Sequence, residues 1–421
     1  MSSEANETTH RNASRAFDLV LFGATGFTGK LVAEHLLRRH GVDGDLRWAI
    51  AGRSRDKLEA VRAELGAAAA ELPIQVADSH DRTALDELVS QTRAVCSTVG
   101  PYALHGDELV AACAAQGTDY CDLTGEVPWM RRMLDQHQDT AQQSGARLVH
   151  CCGFDSIPSD LGVWFLQQAA MERLGQPLQT VRLGVERMRG KMSGGTAASM
   201  INIIAESQRD PNTSKVLANP FALCPPEWRS GPRQPYVSGP KFSADMKSWR
   251  APFVMAAINT RIVHKSHALQ GRPWGEAFTY DEAMLTGPGW TGRRRAIMWS
   301  LALGGFALGA KVGPLRKVMS AKLLPKPGDG PSAAEREAGF FRLLIDGKTA
   351  DGQRLRLRVT GDRDPGYGST AKMLGEAAFT LATDLNHNGC AGGFWTPSVA
   401  LGQALLDRLV AHAGLTFDVL D

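Results

Sequence analysis

The sequence predicts an α/β protein with two parts: an N-terminal domain on a parallel sheet and an inserted α+β substrate or dimerisation domain. Two observations support this prediction. Residues 16–152 alternate short apolar strands with helices, which is the order of a parallel sheet covered on both faces. After residue 153 this alternation stops, and residues 153–365 contain strands that alternate apolar and polar positions. A chain of 421 residues is long enough to bury two cores.

The first predicted strand, 17–22, runs directly into a glycine-rich turn and the start of a helix. Gly23 lets the chain leave the strand sharply, Gly26 leaves room for a pyrophosphate, and Gly29 lets the helix lie close to the strand. The free N–H groups at the helix start would hold the phosphates. We therefore predict a dinucleotide-binding domain of the Rossmann type, with the coenzyme contacted by Gly23, Thr25, Gly26, Phe27, Thr28 and Gly29.

The second predicted strand, 46–52, ends in a basic residue where NAD-specific sites usually carry an acidic one. Arg53 stands at that position, and its planar guanidinium suits a 2′-phosphate in charge and in shape. Ser54 and Lys57 follow closely, and we assign them to the same site. The pattern predicts NADP(H) as the cofactor, with an ordinary solvated helix start as the alternative.

The later strands of this domain present further candidate ligands at the edge where open α/β sheets bind their ligands. Asp78 ends the third strand and is expected on the adenine side of the coenzyme. Val99, Gly100, Pro101 and Tyr102 follow the fourth strand and are expected near the nicotinamide. The predicted strands after the second are 73–78, 94–99, 119–122 and 147–152.

The remaining segments predict the domain organisation. Residues 1–15 are polar and predict a disordered tail rather than a signal peptide. A proline-rich stretch, 219–240, predicts a long loop of the kind that forms lids or binding segments. Residues 366–421 predict helices that pack back on the first domain. Strands of the middle domain are predicted at 181–188, 271–280, 340–346 and 354–359.

Composition limits the function and the compartment. A net charge of +3 and 22% charged residues indicate a globular protein and give no support to a nucleic-acid partner. The seven cysteines lack a zinc-ligand spacing, so we expect buried free thiols and a reducing cytoplasm. His264 and His267 would share a helix, but no third ligand accompanies them, and no metal is predicted.

An apolar segment, 296–310, stands between Arg293–Arg295 and Lys311. It is shorter than the roughly 20 residues that span a bilayer. Basic flanks and aromatic residues suit a helix lying in a membrane or lipid interface. A buried core helix and a homodimer helix are the alternatives that the sequence leaves open.

Seven motif segments are spread along nearly the whole chain: 23–29, 51–53, 99–102, 122–126, 152–160, 193–196 and 392–397. In these segments and in their order the chain resembles the saccharopine dehydrogenase-like oxidoreductases, in the branch of the trans-acting enoyl reductases. The resemblance implies a Rossmann domain interrupted by a substrate domain, with NADP(H) as cofactor, and leaves the substrate open.

A nicotinamide-dependent reductase needs a hydrogen-bond donor or acid beside the carbon that accepts the hydride. Tyr102 is the first candidate because it follows the fourth strand, although it would equally serve as a ring packed against the coenzyme. Asp122 and Asp155 are the further catalytic candidates. Asp155, Ser156 and Ser159 also precede a predicted helix and would serve as N-caps.

The function predicted from these observations is NADPH-dependent reduction of an enoyl C=C bond in a hydrophobic acyl or polyketide-type lipid, free or carrier-bound. One alternative is a saccharopine-type amino-acid dehydrogenase, which would gather Arg182, Arg187, Arg189 and Lys191 around carboxylates. The other is a non-catalytic NADP(H)-binding protein at a lipid surface. A peripheral membrane contact through 296–310 and a homodimer are the expected partners.

Overall fold

The chain forms two seven-stranded sheets joined by helices. The computed structural model describes residues 15–190, 194–316, 319, 330–384 and 389–420, with the side chains of 195–197 excepted. Most of the predicted N-terminal tail, residues 1–14, lies outside this description, as does Ser193 of the resemblance. The predicted fold class, a parallel-sheet domain with an inserted mixed domain, is confirmed.

The first sheet is parallel throughout and has the spatial order β3-β2-β1-β4-β5-β6-β13. This is the strand order of a doubly wound nucleotide-binding sheet, extended by one strand that returns from the far C-terminal part of the chain. Leu19, Val20 and Leu21 of the central strand are fully buried, as a sheet covered on both faces requires. Its strands are β1 Phe17–Phe22, β2 Trp48–Gly52, β3 Ile74–Val76, β4 Thr92–Ser97, β5 Asp119–Asp122, β6 Arg147–Val149 and β13 Gly393–Trp395.

Helices follow the strands of this sheet as the βα alternation predicts. Their bounds are α1 Phe27–His40, α2 Arg55–Glu64, α3 Arg82–Ser90, α4 Tyr102–His105, α5 Asp107–Gln116 and α6 Val127–Ser144. Asp81 caps α3 by accepting a hydrogen bond from the N–H of Ala84, at 3.1 Å. The left-handed Gly117 and Gly145 end α5 and α6, which is the usual place for a residue with positive φ.

The second sheet is mixed, with the order β14-β12-β11-β7-β10-β9-β8. Strands β7 and β10 pair in parallel, and every other neighbour pair is antiparallel. Its strands are β7 Leu178–Arg189, β8 Lys241–Ser243, β9 Ser248–Ala251, β10 Thr279–Gly287, β11 Phe340–Thr349, β12 Arg354–Gly361 and β14 Leu415–Leu420. The strand predicted at 271–280 lies later, at 279–287, because residues 271 and 275 are glycines with positive φ in the preceding turns.

The helices of the second part connect this sheet to the first. Helix α7 packs against β7, β11 and β12, and Gly162 fits there because a Cβ would lie 2.6 Å from Cδ1 of Ile345. The bounds are α7 Ile157–Leu174, α8 Gly194–Arg209, α9 Pro211–Ala218, α10 Ala256–Leu269, α11 Gly289–Lys311 and α12 Ala333–Glu337. The predicted apolar helix therefore begins at 289, and its three arginines lie inside it rather than before it.

The C-terminal segment is divided between the two sheets. Helix α13 Thr370–Thr383 packs on α1, β4 and β5, and helix α14 Pro397–Arg408 packs on α7 and α13. Glu376 joins these helices, since it bonds to Nε2 of His35 at 2.8 Å and pairs with Arg408 at 2.7 Å. The sequence analysis assigned 366–421 to helices on the first domain, whereas 415–420 forms a strand that pairs with β12.

None of the described helices, in the ranges given above, combines the length and the apolarity needed to cross a bilayer.

Candidate coenzyme and substrate site

The glycine-rich turn has the geometry that its three glycines predict. Gly23 has a φ of 93°, and a Cβ there would lie 2.6 Å from Cγ2 of Val99. A Cβ at Gly29 would lie 2.2 Å from the carbonyl oxygen of Gly23, so the close approach of helix to strand excludes any side chain. At Gly26 the nearest atom would be 3.4 Å away. The space over Gly26 is therefore open, as a pyrophosphate would need.

The N-terminus of helix α1 is available to an anion. Gly26 is its N-cap residue, and no side chain caps this end. The first turn contains no acidic residue, while Arg38, Arg39 and His40 stand in the last turn. The N–H groups and the helix dipole thus favour negative charge at the turn, which fits the phosphates of a dinucleotide.

The end of strand β2 carries the predicted basic group. Arg53 and Lys57 are exposed, and Arg53 has no ion pair among the residues that the structure describes. Ser54 is the N-cap of α2 and accepts a hydrogen bond from the N–H of Lys57 at 3.5 Å. An exposed, unpaired guanidinium beside a helix N-terminus fits a 2′-phosphate.

A pair of histidines beside this edge was missed by the sequence analysis. Nε2 of His80 lies 3.0 Å from Nδ1 of His105, and the N–H of His80 donates to Oδ1 of Asp78 at 2.9 Å. Burial, His80 and the charge of Arg53 lower the pKa of His105. The two rings come from the ends of different strands, so sequence spacing gave no sign of the pair.

A cavity of about 300 Å³ lies where the segments after β4, β5 and β6 meet. Its polar side includes Thr28, Glu126 and Asp155, and its other side is apolar. The apolar wall comes from the second part of the chain, through Met200, Ile203 and Ile204 of helix α8, Ile258 of helix α10 and Val254 in the turn before α10. The predicted Gly100, Pro101 and Tyr102 also line the cavity, together with Tyr367, whose ring contacts Phe27 edge-on at 4.9 Å.

The hydroxyl of Tyr102 is engaged by the main chain. It donates to the carbonyl oxygen of Ser97 at 3.0 Å and accepts from the N–H of Leu123 at 3.4 Å. Burial raises the pKa of this phenol well above its usual value, and the nearby Asp122 adds to the effect. A hydroxyl held in this way joins the ends of β4 and β5, so the geometry favours a structural contribution.

Glu126 holds the short helix α4 in place. Its two carboxylate oxygens accept the N–H groups of Tyr102 and Ala103, both at 2.9 Å. Ser199 of helix α8 also donates to it, at 2.7 Å. The carboxylate therefore links the first part of the chain to the helix that forms the apolar wall.

Asp122 is fully buried and lies outside the described lining of the cavity. It accepts hydrogen bonds from His150 Nδ1 at 2.7 Å, from the hydroxyl of Tyr120 at 3.0 Å and from the N–H of Thr124 at 3.0 Å. With its acceptors occupied in this way, Asp122 shapes the loop after β5.

Asp155 lies on the cavity wall and is partly exposed to it. Burial raises the pKa of its carboxyl to about 7, and repulsion from Asp122 contributes. The N-cap position of α7 belongs to Ser156, and no side chain caps that helix. The expected capping by Asp155, Ser156 or Ser159 is therefore wrong: Ser156 donates instead to Oδ1 of Asn259, at 3.1 Å.

A larger groove of about 870 Å³ adjoins the cavity and shares Met200, Leu217, Val254 and Ala257 with it. The predicted loop 219–240 forms one side of the groove, and Leu303 of helix α11 reaches it. Its lining is largely apolar and proline-rich, and its charged members are Arg229, Arg233, Arg261, Asp281 and Glu282. Burial raises the pKa of Glu282 to about 7.

The histidines of helix α10 contribute to packing. His267 stacks on Trp274 with ring centroids 4.8 Å apart, and its Nε2 lies 3.1 Å from the carbonyl oxygen of Gly275. His264 lies against Phe221 at 4.8 Å. Within the described ranges, no group of three or more His, Cys, Asp or Glu side chains is placed to hold a metal ion.

All seven cysteines are free thiols, and six of them are buried. Cys151 donates to the carbonyl oxygen of Thr124 at 2.8 Å, and burial raises the pKa of the Cys151 thiol well above its usual value. Such a thiol is protonated and unreactive at neutral pH, which agrees with a packing role for the adjacent pair Cys151 and Cys152.

The parallel sheet, the open glycine turn and the unpaired Arg53 together define an NADP-binding oxidoreductase. Residues 19–149 match the model of the saccharopine dehydrogenase NADP-binding domain, which confirms the predicted cofactor. The chain belongs to the saccharopine dehydrogenase-like family, among the trans-acting enoyl reductases.

Relatives of this kind match over nearly the full length. A Mycobacterium tuberculosis protein named as a trans-acting enoyl reductase is 41% identical over 409 residues, or 94% of this chain and 96% of that protein. A trans-acting enoyl reductase of Mycobacterium leprae is 37% identical over 404 residues, with the same coverage. Saccharopine dehydrogenase (L-Glu forming) of Saccharomyces cerevisiae has a similar fold: the TM-score is 0.54 at 14% identity, covering 96% of this chain and 99% of that one.

Proposed function

We propose that the protein uses NADPH to reduce the C=C bond of an enoyl group in a hydrophobic acyl or polyketide-type substrate, free or carrier-bound, and that Asp155 supplies the proton. The observation that carries this proposal is a carboxyl group with a pKa of about 7 on the wall of the cavity after β4, β5 and β6, where we expect the nicotinamide. A carboxylic acid that stays partly protonated at neutral pH is suited to general acid catalysis.

The proposed reaction adds one hydride and one proton to the C=C bond. NADPH, when bound by the glycine turn and Arg53, supplies the hydride that the β-carbon of the substrate accepts. The electrons of the C=C bond then form an enolate, and Asp155 gives its proton to the α-carbon. The carboxylate regains a proton from water before the next turnover.

Asp155 is a better candidate for the proton donor than Tyr102 or Asp122. The Tyr102 proton is already donated to the carbonyl oxygen of Ser97. Asp122 already accepts four hydrogen bonds behind the cavity wall, from His150, Tyr120 and the N–H groups of Thr124 and Cys151. We propose that both of these residues fix the loops that carry the cavity, and thus act as positioning residues.

The groove supports a long apolar substrate. It shares four lining residues with the cavity, so we expect an extended chain that starts beside Asp155 to continue into the adjoining 870 Å³. Phe221, Phe253 and several prolines line this groove. Burial of methylene groups against such a lining stabilises binding by about 0.8 kcal/mol for each group.

The residues around the cavity do not favour the amino-acid dehydrogenase alternative. No lysine or arginine is among the described residues that line it, and α-carboxylates would need such partners. Arg182 pairs instead with Asp245 at 2.7 Å on the second sheet, and Lys191 lies outside the described residues.

The test compares turnover by the wild-type protein, Asp155→Asn and Tyr102→Phe on enoyl thioesters of increasing chain length. We expect NADPH oxidation by the wild type to rise in kcat/KM with chain length. Asp155→Asn should lose on the order of 10²- to 10⁴-fold in kcat, because the general acid is removed. Its NADPH affinity, measured by fluorescence titration, should stay unchanged.

The matched variant Tyr102→Phe separates the two proton donors. We expect it to keep its turnover while losing about 1 kcal/mol of unfolding free energy, which is the usual contribution of one hydrogen bond. Full activity of Asp155→Asn together with an inactive, folded Tyr102→Phe would instead identify Tyr102 as the proton donor.

We further propose a reducing cytoplasm as the place of action, since all seven thiols are free.

A further inference from the structure

We propose that helix α11 lies on the surface of an anionic lipid bilayer, with its exposed apolar face among the lipids and its arginines at the headgroups. The proposal rests on the exposure of this helix, on its charges and on its position beside the groove. It is independent of the proposed reaction.

One face of the helix exposes large apolar side chains to solvent. The exposed fractions are 67% for Met298, 70% for Leu301 and 67% for Leu308. With Gly305, these positions recur every four or three residues and so form one stripe along the helix. A Cβ built at Gly305 would meet no atom within 4 Å, which places the middle of the stripe in open space.

The opposite face of the helix holds it to the protein. Gly292, Ala296, Gly309 and Ala310 are its buried residues, and the helix packs against β9 and β10. Nε1 of Trp299 donates to the carbonyl oxygen of Pro252 at 2.9 Å. The fully buried positions of the helix are thus small residues, whereas Met298, Leu301 and Leu308 face outward, the reverse of an ordinary surface helix.

The charges of the helix are all positive. Arg293, Arg294, Arg295 and Lys311 are its charged residues, and all four are exposed. The described residues offer no acidic partner to any of the three arginines, and Arg293 instead stands over the rings of Trp249 and Trp290, at 5.7 and 5.4 Å. Unpaired arginines and tryptophan rings beside an apolar stripe are typical of a helix in the headgroup region of anionic lipids.

The same charges argue against a second copy of the chain as the occupant of this face. Arginines stand at one end of the stripe, and Lys311 and Arg316 stand at the other. A parallel pair of helices would place arginine opposite arginine, and an antiparallel pair would place arginines opposite Lys311. Either arrangement opposes like charges, whereas an anionic surface is complementary to both ends.

The helix is suited to lie along the interface rather than to cross it. Three consecutive arginines stand within its first two turns, and it fails the requirements of a membrane span. Leu303 of the same helix lines the groove, so the groove would open beside the lipid. The entry of an acyl substrate by this route rests on the proposed function, whereas lipid binding itself does not.

The test is co-sedimentation of the full chain with vesicles of phosphatidylcholine alone and of phosphatidylcholine mixed with phosphatidylglycerol. We expect the wild type to sediment with the anionic vesicles and much less with the neutral ones. The double variant Leu301→Gln/Leu308→Gln should lose on the order of tenfold in partitioning, and Arg294→Glu/Arg295→Glu a similar factor.

Two controls keep the outcome interpretable. Met171→Gln/Val410→Gln removes two side chains of comparable exposure, 50% and 48%, from other surfaces and should sediment like the wild type. Circular dichroism should show equal thermal stability, since every substituted side chain is exposed. If the wild type stays in solution, or if the stripe variants partition unchanged, the proposal is overturned. A dimer in light scattering that Leu301→Gln/Leu308→Gln dissociates would overturn it in favour of a second copy.

Discussion

Gly29 and Gly23 approach so closely that a Cβ on Gly29 would lie 2.2 Å from the carbonyl oxygen of Gly23. This contact joins the first helix to the first strand through main-chain atoms alone. Gly26, between them, is different, because its Cβ would meet only one atom, at 3.4 Å, and its φ of −76° is accessible to any residue. Gly29 is therefore required by the packing of the fold, whereas glycine at position 26 is explained by the approach of a ligand.

The two demands predict opposite phenotypes. Gly29→Ala should lower the unfolding free energy by about 3 kcal/mol or more, because main-chain atoms cannot move aside for the new methyl group. Gly26→Ala should cost about 1 kcal/mol at most, the difference between glycine and alanine at an N-cap. It should nevertheless weaken NADPH binding by about tenfold or more, since the methyl group occupies the approach of the pyrophosphate.

Chemical denaturation and fluorescence titration of both variants measure these effects. A Gly26→Ala variant with native stability and native affinity would show that the pyrophosphate does not approach this residue.

Arg53 predicts the preference for a phosphorylated coenzyme. Arg53→Ala should lower the affinity for NADPH by about tenfold to a hundredfold, the range of a lost charge-assisted hydrogen bond, and leave NADH binding unchanged. The NADPH affinity of Arg53→Lys should lie between those of the wild type and Arg53→Ala, because lysine keeps the positive charge but lacks the planar guanidinium. Equal losses for NADPH and NADH would instead indicate a general effect on the site.

The features that sequence predicted are local in the chain. The glycine turn, the basic residue after the second strand and the order of strand and helix are each set by residues within a few positions, and the structure confirms the fold that they imply. Burial of the cysteines followed from their apolar character in the same way.

The features that sequence missed depend on distant contacts. His80 and His105 stand 25 positions apart, and the segments that follow β3 and β4 bring them together although β1 and β2 lie between those strands. The hydrogen bond from Ser199 to Glu126 spans 73 positions, so the apolar wall of the cavity had no local signal. The final strand, 415–420, pairs with residues 356–361, which are distant from it in the sequence. Its short alternating pattern alone did not distinguish a strand from the end of a helix.

The hydrogen bonds of Asp160 predict an effect on stability at a position away from the proposed reaction site. Its Oδ2 accepts the N–H of Ser398 at 2.8 Å, and its Oδ1 accepts the hydroxyl of Ser266, so one buried side chain joins helices α7, α10 and α14. Asp160→Ala should lower the unfolding free energy by about 1 to 3 kcal/mol, because the buried N–H of Ser398 loses its acceptor, whereas the Ser266 hydroxyl keeps the carbonyl oxygen of Ile262 and Oγ1 of Thr396 as partners. Asp160→Asn keeps one oxygen and should cost less. Denaturant unfolding of both variants measures the difference, and a loss below about 0.5 kcal/mol for the alanine variant would contradict this account.

The pH dependence of turnover tests Asp155 without altering the fold. Burial raises the pKa of its carboxyl to about 7, and a general acid must be protonated to act. The activity should therefore be constant below that value and fall as the pH rises through it, about tenfold for each further pH unit. The measurement is kcat at saturating NADPH across the pH range, with NADPH affinity followed in parallel. Asp155→Asn should lose this limb together with most of its activity, because an amide does not titrate. A descending limb that persists unchanged in the variant would assign the titration to another group and remove the main support for Asp155 as the proton donor.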